Sequence, residues 1–160
     1  ISSHFQNWLI KNDYYKITKA IKADGVHLGK TDCCPVEARK HLYTWQIIGG
    51  TANTIQDCET LISKQVDYIS LSPFRHAVTK GNIFKVLGLN GYNEIIEALK
   101  TETPIIGFGG INTKDVTAIL ETGISGIAVS DVITKNFDVI RTFNQLLKAS
   151  STKELRHTFK

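Results

Sequence analysis

Three features predict an α/β fold of parallel strands, a TIM (β/α)8 barrel of which this chain supplies about the last six β/α units. Short apolar runs alternate six times with helical patterns, and strict strand–helix alternation implies parallel strands joined by crossover helices. The repeat is about twenty residues, which suits a barrel unit better than a doubly wound sheet, the alternative arrangement. Finally, Pro104–Ile111 (PIIGFGGI) and Gly126–Ile133 (GIAVSDVI) are consecutive apolar runs that end in small residues. Such junctions leave backbone N–H groups pointing outward at a helix start, where they can hold a phosphate. Two in succession match the phosphate cradle after the last two strands of a barrel.

The elements follow in order. Trp8–Ile10 is the first strand candidate and Tyr14–Lys22 the first helix, with Tyr14, Ile17 and Ile21 on one face. Gly25–Leu28 comes next, then Pro35–Leu42, whose proline takes a first-turn position. Gln46–Ile48 precedes Thr54–Lys64, which opens on a Thr cap. Tyr68–Leu71 is followed by Tyr92–Leu99, with Ile95, Ile96 and Leu99 inward. Ile105–Phe108 leads to Thr113–Glu121, stopped by Gly123. Gly126–Val129 leads to Phe137–Leu147. Residues 1–147 thus read as the barrel domain, and the basic stretch 148–160 as a frayed tail. One interval, Ser72–Asn90, breaks the rhythm. Long connections in compact domains are usually functional, and this one, with Gly81, Gly88 and Gly91 as pivots, is expected to be a lid that carries Lys80. Six units fall short of the eight of a closed barrel. Because the cradle pair lies at the C-terminal end, the missing units are expected to be the first two, in line with the lack of any methionine.

Composition narrows the class. In 160 residues, 42% are hydrophobic and 21% charged, ordinary for one globular domain. No apolar run is long enough to span a membrane, and no signal peptide is visible. The net charge of +4 comes from dispersed lysines rather than a basic patch, which speaks against nucleic acid. Cys33, Cys34 and Cys58 cannot all pair internally and fit no zinc spacing, so they read as free thiols in a reducing cytoplasm.

The informative polar residues all fall just after strands, at what is the catalytic rim in a barrel. They are Asn12 and Asp13, Asp32, Thr51 and Asn53, Thr79 and Lys80, Gly109 and Gly110, and Ser130 and Asp131. Asp13 and Asp32 make a natural Mg2+ pair, since this ion takes hard oxygen ligands, commonly one or two carboxylates plus substrate phosphates. Taken singly, Asp13 also reads as a helix N-cap and Asp32 as a turn residue. Lys80 can neutralise a diphosphate as a point charge. Asn12 and Thr79 can donate to phosphate oxygens, or bond locally. His27 reads as a satisfied structural histidine and His76 as an exposed loop residue. Cys33 and Cys34 read as packing residues, because no base is placed beside them. No Ser-His-Asp or Cys-His arrangement is legible.

The runs LIKNDYYKITKAIKADGVHLGKTD, IIGGTANT, DYISLSPFRHAVTK, LGLNGY, IIGFGGI and GIAVS resemble the thiamine-phosphate synthase family, in order and with matching gaps from about Trp8 to Ile133. The resemblance implies a cytoplasmic TIM-barrel transferase of thiamine biosynthesis that requires Mg2+. Its substrates would be 4-amino-2-methyl-5-hydroxymethylpyrimidine diphosphate and 4-methyl-5-hydroxyethylthiazole phosphate, and its products thiamine phosphate and pyrophosphate, through a dissociative substitution. It aligns Asp13 and Asp32 with the family's magnesium ligands, and Asn12 and Lys80 with diphosphate contacts, Lys80 being the catalytic residue. Thr51 aligns with a serine-type substrate contact, and Thr79 with the second threonine of a Thr-x-Thr-Lys motif. Gly110, with the Ser130 and Asp131 backbone, aligns with the thiazole-phosphate cradle. Small phosphorylated molecules are the implied partners, with no nucleic acid or membrane and with homo-oligomerisation left open. The chain departs from the family pattern at Ala77, the first threonine of that motif, at the neighbouring His76, and at Asp131, where a small residue is usual. It also lacks the Gln-x-Arg-x-Lys motif of the family's second strand, so these 160 residues by themselves are expected to show little or no activity.

Two other functions are weighed. A thiazole tautomerase of the same fold would use a histidine early in the long connection, where Pro73 stands. A non-catalytic binder of phosphate or thiamine precursors would tolerate Ala77 and Asp131.

Overall fold

The computed structural model describes residues 8–75 and 85–157, with side chains through Lys148. Its strands are β1 (Ile10–Asn12), β2 (Gly25–Leu28), β3 (Ile47–Ala52), β4 (Tyr68–Leu71), β5 (Ile105–Phe108) and β6 (Gly126–Ala128). Between them run α1 (Tyr15–Ala20), α2 (Pro35–His41), α3 (Ile55–Ser63), α4 (Gly88–Leu99) and α5 (Val116–Glu121), followed by α6 (Asp131–Lys135) and α7 (Val139–His157). The six strands form one sheet in the order β1-β2-β3-β4-β5-β6, and every neighbouring pair is parallel. A doubly wound sheet reverses its strand order at a switch point. Here each crossover advances the same way, so the fold is a partial (β/α) barrel, as the sequence predicts.

Register assigns the two faces. Gly50 faces α3, because a Cβ there would meet Leu61, and Gly107 faces α4, because a Cβ there would meet Tyr92. Strand side chains alternate sides, so Val26, Leu28, Ile48, Ala52, Ile69, Leu71 and Ile105 share that helix-facing layer, and all of them belong to the buried core. Tyr92 of α4 is fully buried over Gly107, and its hydroxyl donates to Leu71 O (3.0 Å) while accepting from Phe108 N (3.1 Å). The opposite, inner face carries His27, Gly49, Thr51 and Tyr68.

The local signals act as the sequence predicts at several ends. Pro35 opens α2 in its first turn. Thr54 and Asp57 form a capping box on α3, which supplies two of the orphan N–H groups of its first turn. Gly123 follows α5 with φ of 90°, a left-handed stop that glycine takes without a Cβ clash.

Several expectations change, and α4 begins at Gly88, inside the expected long connection. β1 begins two residues later than expected and includes Asn12, because pairing with β2 matches Asn12 to His27. β3 runs on to Ala52, so Thr51 lies within the strand, opposite Ser70. Tyr14, Ile17 and Ile21 are exposed, and Thr18 is the buried residue of α1, since that helix packs its other side on β1, β2 and α2. Helix α7 passes Leu147 and continues to His157. That stretch contains neither Gly nor Pro and is rich in Ala, Lys, Glu, Leu and Arg, so nothing in it breaks a helix.

Candidate active site

The rim at the C-terminal ends of the strands is built in chain order. Asn12 ends β1, and Asp13 turns the chain with φ of 59°. Its amide donates to His27 O on β2 (2.9 Å), and Tyr14 N returns to Asn12 O (2.9 Å). A non-glycine residue held in this region is a strained position, and such positions cluster at functional sites. The Asp13 side chain caps nothing: the N-cap of α1 is Tyr14, without a side-chain bond. Among the described residues the Asp13 carboxylate accepts no hydrogen bond.

Asp32 stands in the turn after β2, the neighbouring strand. Its Oδ2 accepts from Gly29 N at 2.5 Å, which closes the turn from within. It also lies near enough to His27 to act on that ring's charge. The two aspartates therefore follow the ends of adjacent parallel strands, each with carboxylate oxygen to spare. Among the described residues no group of three or more His, Cys, Asp or Glu could hold a metal ion. A Mg2+ ion does not need such a group, because it keeps several waters and takes one or two carboxylates. The hard oxygens of Asp13 and Asp32 fit that requirement.

Inside the rim, three strands are tied by one histidine. Nδ1 of His27 lies 3.0 Å from the Tyr68 hydroxyl and Nε2 lies 2.9 Å from Thr51 Oγ1. Tyr68 reaches His27 by lying across Gly49, where a Cβ would fall 2.0 Å from its ring. Burial lowers the pKa of His27, with Asp32 opposing, so the ring is held neutral, one nitrogen donating and one accepting. Burial also pushes the Tyr68 phenol up to about 12. His27 is thus the satisfied histidine that the sequence suggests, and it holds the hydroxyl of the candidate contact Thr51.

Lys30, beside Asp32 in the same turn, pairs with Asp57 at the start of α3 (2.6 Å). Asn53 is buried and donates to Ser72 O (2.7 Å), while its Oδ1 meets no partner among the described residues.

After β5, Gly109 and Gly110 take φ of 98° and 71°. Behind this turn stands Arg75, which no local motif in the sequence marks. Its guanidinium donates to Gly110 O (2.8 Å) and forks onto both oxygens of Asp115 (2.8 and 3.0 Å). Burial would raise the Asp115 carboxyl, but Arg75 and the Asn112 N–H outweigh it and hold the group below its ordinary value. After β6, Ser130 is the N-cap of α6 without a side-chain bond, and Asp131 is the exposed first residue of that helix. Lys80, Thr79, Ala77, His76 and the proposed lid pivot Gly81 lie outside the described residues, whereas Gly88 and Gly91, the other two expected pivots, lie in the first turn of α4. The remaining candidates, Asn12, Asp13, Asp32, Thr51, Gly110, Ser130 and Asp131, stand at the same end of one parallel sheet.

Comparison with known proteins gives the same direction. Residues 2–133 match the family described as thiamine monophosphate synthase. The chain is 43% identical over 147 residues to a thiamine-phosphate synthase of Flavobacterium johnsoniae, covering 88% of this chain and 69% of that protein. It is 43% identical over 133 residues to the one from Bacteroides thetaiotaomicron, covering 81% and 64%. Among solved structures, the thiamine phosphate pyrophosphorylase from Pyrococcus furiosus superposes with a TM-score of 0.70 at 24% identity, covering 88% of this chain and 67% of that one. That likeness bears on the fold. The chain spans about two thirds of the length of these relatives. With this match over most of its length, carried on a partial (β/α) barrel, the chain belongs to the thiamine monophosphate synthase family.

Proposed function

We propose that the protein is a thiamine-phosphate synthase that joins 4-amino-2-methyl-5-hydroxymethylpyrimidine diphosphate to 4-methyl-5-hydroxyethylthiazole phosphate. The bond between the pyrimidine methylene and the diphosphate oxygen breaks, and pyrophosphate leaves with the electron pair. The thiazole nitrogen then attacks the resulting pyrimidine methyl cation to give thiamine phosphate. The observation that carries this reading is the placement of two free-edged carboxylates, Asp13 and Asp32, at adjacent strand ends of a chain with this family match.

A dissociative step asks little of acid–base groups. It asks for neutralised leaving-group charge and a correctly held acceptor. Asp13 and Asp32 would hold Mg2+, which supplies positive charge to the diphosphate when bound. Asn12, Thr79 and Lys80 bind the diphosphate, and Thr51, oriented by His27, contacts the substrate beside them. Gly110 with the Ser130 and Asp131 backbone receives the thiazole phosphate. No helix among the described residues is long and apolar enough to cross a membrane.

The test is product analysis on the full-length protein with both substrates and Mg2+. Thiamine phosphate and pyrophosphate should form together, and neither should form when one substrate is left out. Interconversion of thiazole carboxylate isomers without pyrophosphate release would mark a tautomerase. Substrate binding with neither product would mark a non-catalytic binder.

A further inference from the structure

The turn after β5 is pinned from behind by a single residue. The Arg75 amide donates to Gly109 O (3.0 Å), and the Arg75 guanidinium donates to Gly110 O (2.8 Å). In a trans peptide the C=O and the following N–H point in opposite directions. Two successive carbonyls drawn toward Arg75 therefore turn the two successive amides, Gly110 N–H and Ile111 N–H, the other way. Neither amide meets an acceptor among the described residues, although Ile111 is buried. Consecutive N–H groups aimed at one point form an anion-binding concavity. Both glycines are needed for the approach. Their φ values are positive, and a Cβ would fall 3.0 Å from Pro73 Cα at Gly109 and 3.1 Å from Arg75 Cβ at Gly110.

The guanidinium does not itself face that concavity. It lies on the carbonyl side, and Asp115 holds it there through the two-pronged pair. Asp115 Oδ2 also accepts from Asn112 N (2.9 Å), so the same carboxylate fastens both Arg75 and the strand-to-helix connection that leads to α5. A bidentate Arg–carboxylate pair fixes orientation as well as distance, which a lysine cannot reproduce.

We propose that Arg75, locked by Asp115, is a positioning residue that sets the Gly110 and Ile111 amides for the phosphate of the thiazole substrate. This rests on the synthase reading for the identity of the ligand. The role acts on binding of the phosphate-bearing acceptor and leaves the diphosphate substrate to other residues.

The experiment measures the affinity of the full chain for 4-methyl-5-hydroxyethylthiazole phosphate, with inorganic phosphate as a second probe, by following the Gly110 and Ile111 amide resonances. The wild-type chain should shift both amides on titration. Arg75→Gln should bind roughly tenfold more weakly, the factor that one charge-assisted hydrogen bond carries. Asp115→Asn should match it, and the double variant should be no weaker than either single one, since the two act as a unit. Arg75→Lys separates positioning from charge: a positioning role leaves it weak, whereas simple attraction for phosphate leaves it at the wild-type value and overturns the proposal. Arg75→Gln with wild-type affinity and unchanged Gly110 and Ile111 amide exchange, even with a lowered melting point, would overturn it too. A wild-type chain whose two amides respond to neither probe would instead overturn the phosphate-site reading on which the proposal stands.

Discussion

The His27 imidazole and the Thr51 hydroxyl, on adjacent strands β2 and β3, lie 2.9 Å apart. The contact exists because Tyr68 occupies the other ring nitrogen from β4, and Tyr68 gets there by passing over Gly49. A glycine between two larger residues on the inner face is thus the structural condition for an ordered Thr51.

Gly49→Ala should therefore be costly. The new Cβ would fall 2.0 Å from Tyr68 Cζ, so the phenol must leave His27. We expect a loss of about 2–3 kcal/mol by urea denaturation, in the range of core overpacking. In a Tyr68→Ala background the same substitution should cost much less, and this non-additivity in a double-mutant cycle is the check.

Gln46 lies at the opposite end of β3, just before its first residue, and is 1% exposed. Its Nε2 donates to Thr18 O and Ala23 O, and its Oε1 accepts from Tyr43 N. Gln46→Leu keeps the side chain's approximate volume but leaves those groups unmatched. The expected cost is about 3 kcal/mol or more, since each unsatisfied buried group carries about 1–3. The midpoint of urea unfolding should fall while the m-value stays the same.

Stability should decline in two steps as pH falls. His27 has a folded pKa below its ordinary 6.5, so below 6.5 the unfolded chain takes up a proton that the folded chain refuses. Its contribution is present above 6.5 and is lost as pH drops through the folded value. Asp57 and Asp115 are also lowered in the folded state, from an ordinary 3.8, by Lys30 and Arg75 and neighbouring N–H groups acting against burial. Their contribution holds above 3.8 and is lost below it. His27→Gln should remove the upper step and Asp115→Asn should shrink the lower one, as read from denaturation midpoints across pH.

Much of the fold is legible because strands buried in a parallel sheet are short apolar runs set off by Gly and Pro. The misplaced ends have a shared cause. The inner face of β3 carries Gly49 and Thr51, so the apolar run ends at Ile48 while pairing continues to Ala52. Asn12 is likewise polar yet paired. Asp13 and Asp32 could be nominated because each follows its own strand closely. The Tyr68–His27–Thr51 tie and the Arg75–Asp115 pair could not, because their members are 24 to 41 residues apart. No local pattern encodes such meetings; the double glycines of IIGGT and FGGI were the nearest signals.

Asp13 is where stability and the proposed Mg2+ binding separate most cleanly. Its φ of 59° disfavours a side chain, and its carboxylate has no described partner to lose. Asp13→Gly should thus stabilise the fold, by up to about 1 kcal/mol, while removing a proposed Mg2+ ligand. The measurement is the Mg2+ dependence of pyrophosphate release by full-length Asp13→Gly with both substrates. The variant should be at least as stable as wild type while its Mg2+-dependent release falls by roughly 100-fold or more, the scale of a lost electrostatic stabilisation. Wild-type release at the wild-type Mg2+ requirement would contradict Asp13 as a Mg2+ ligand.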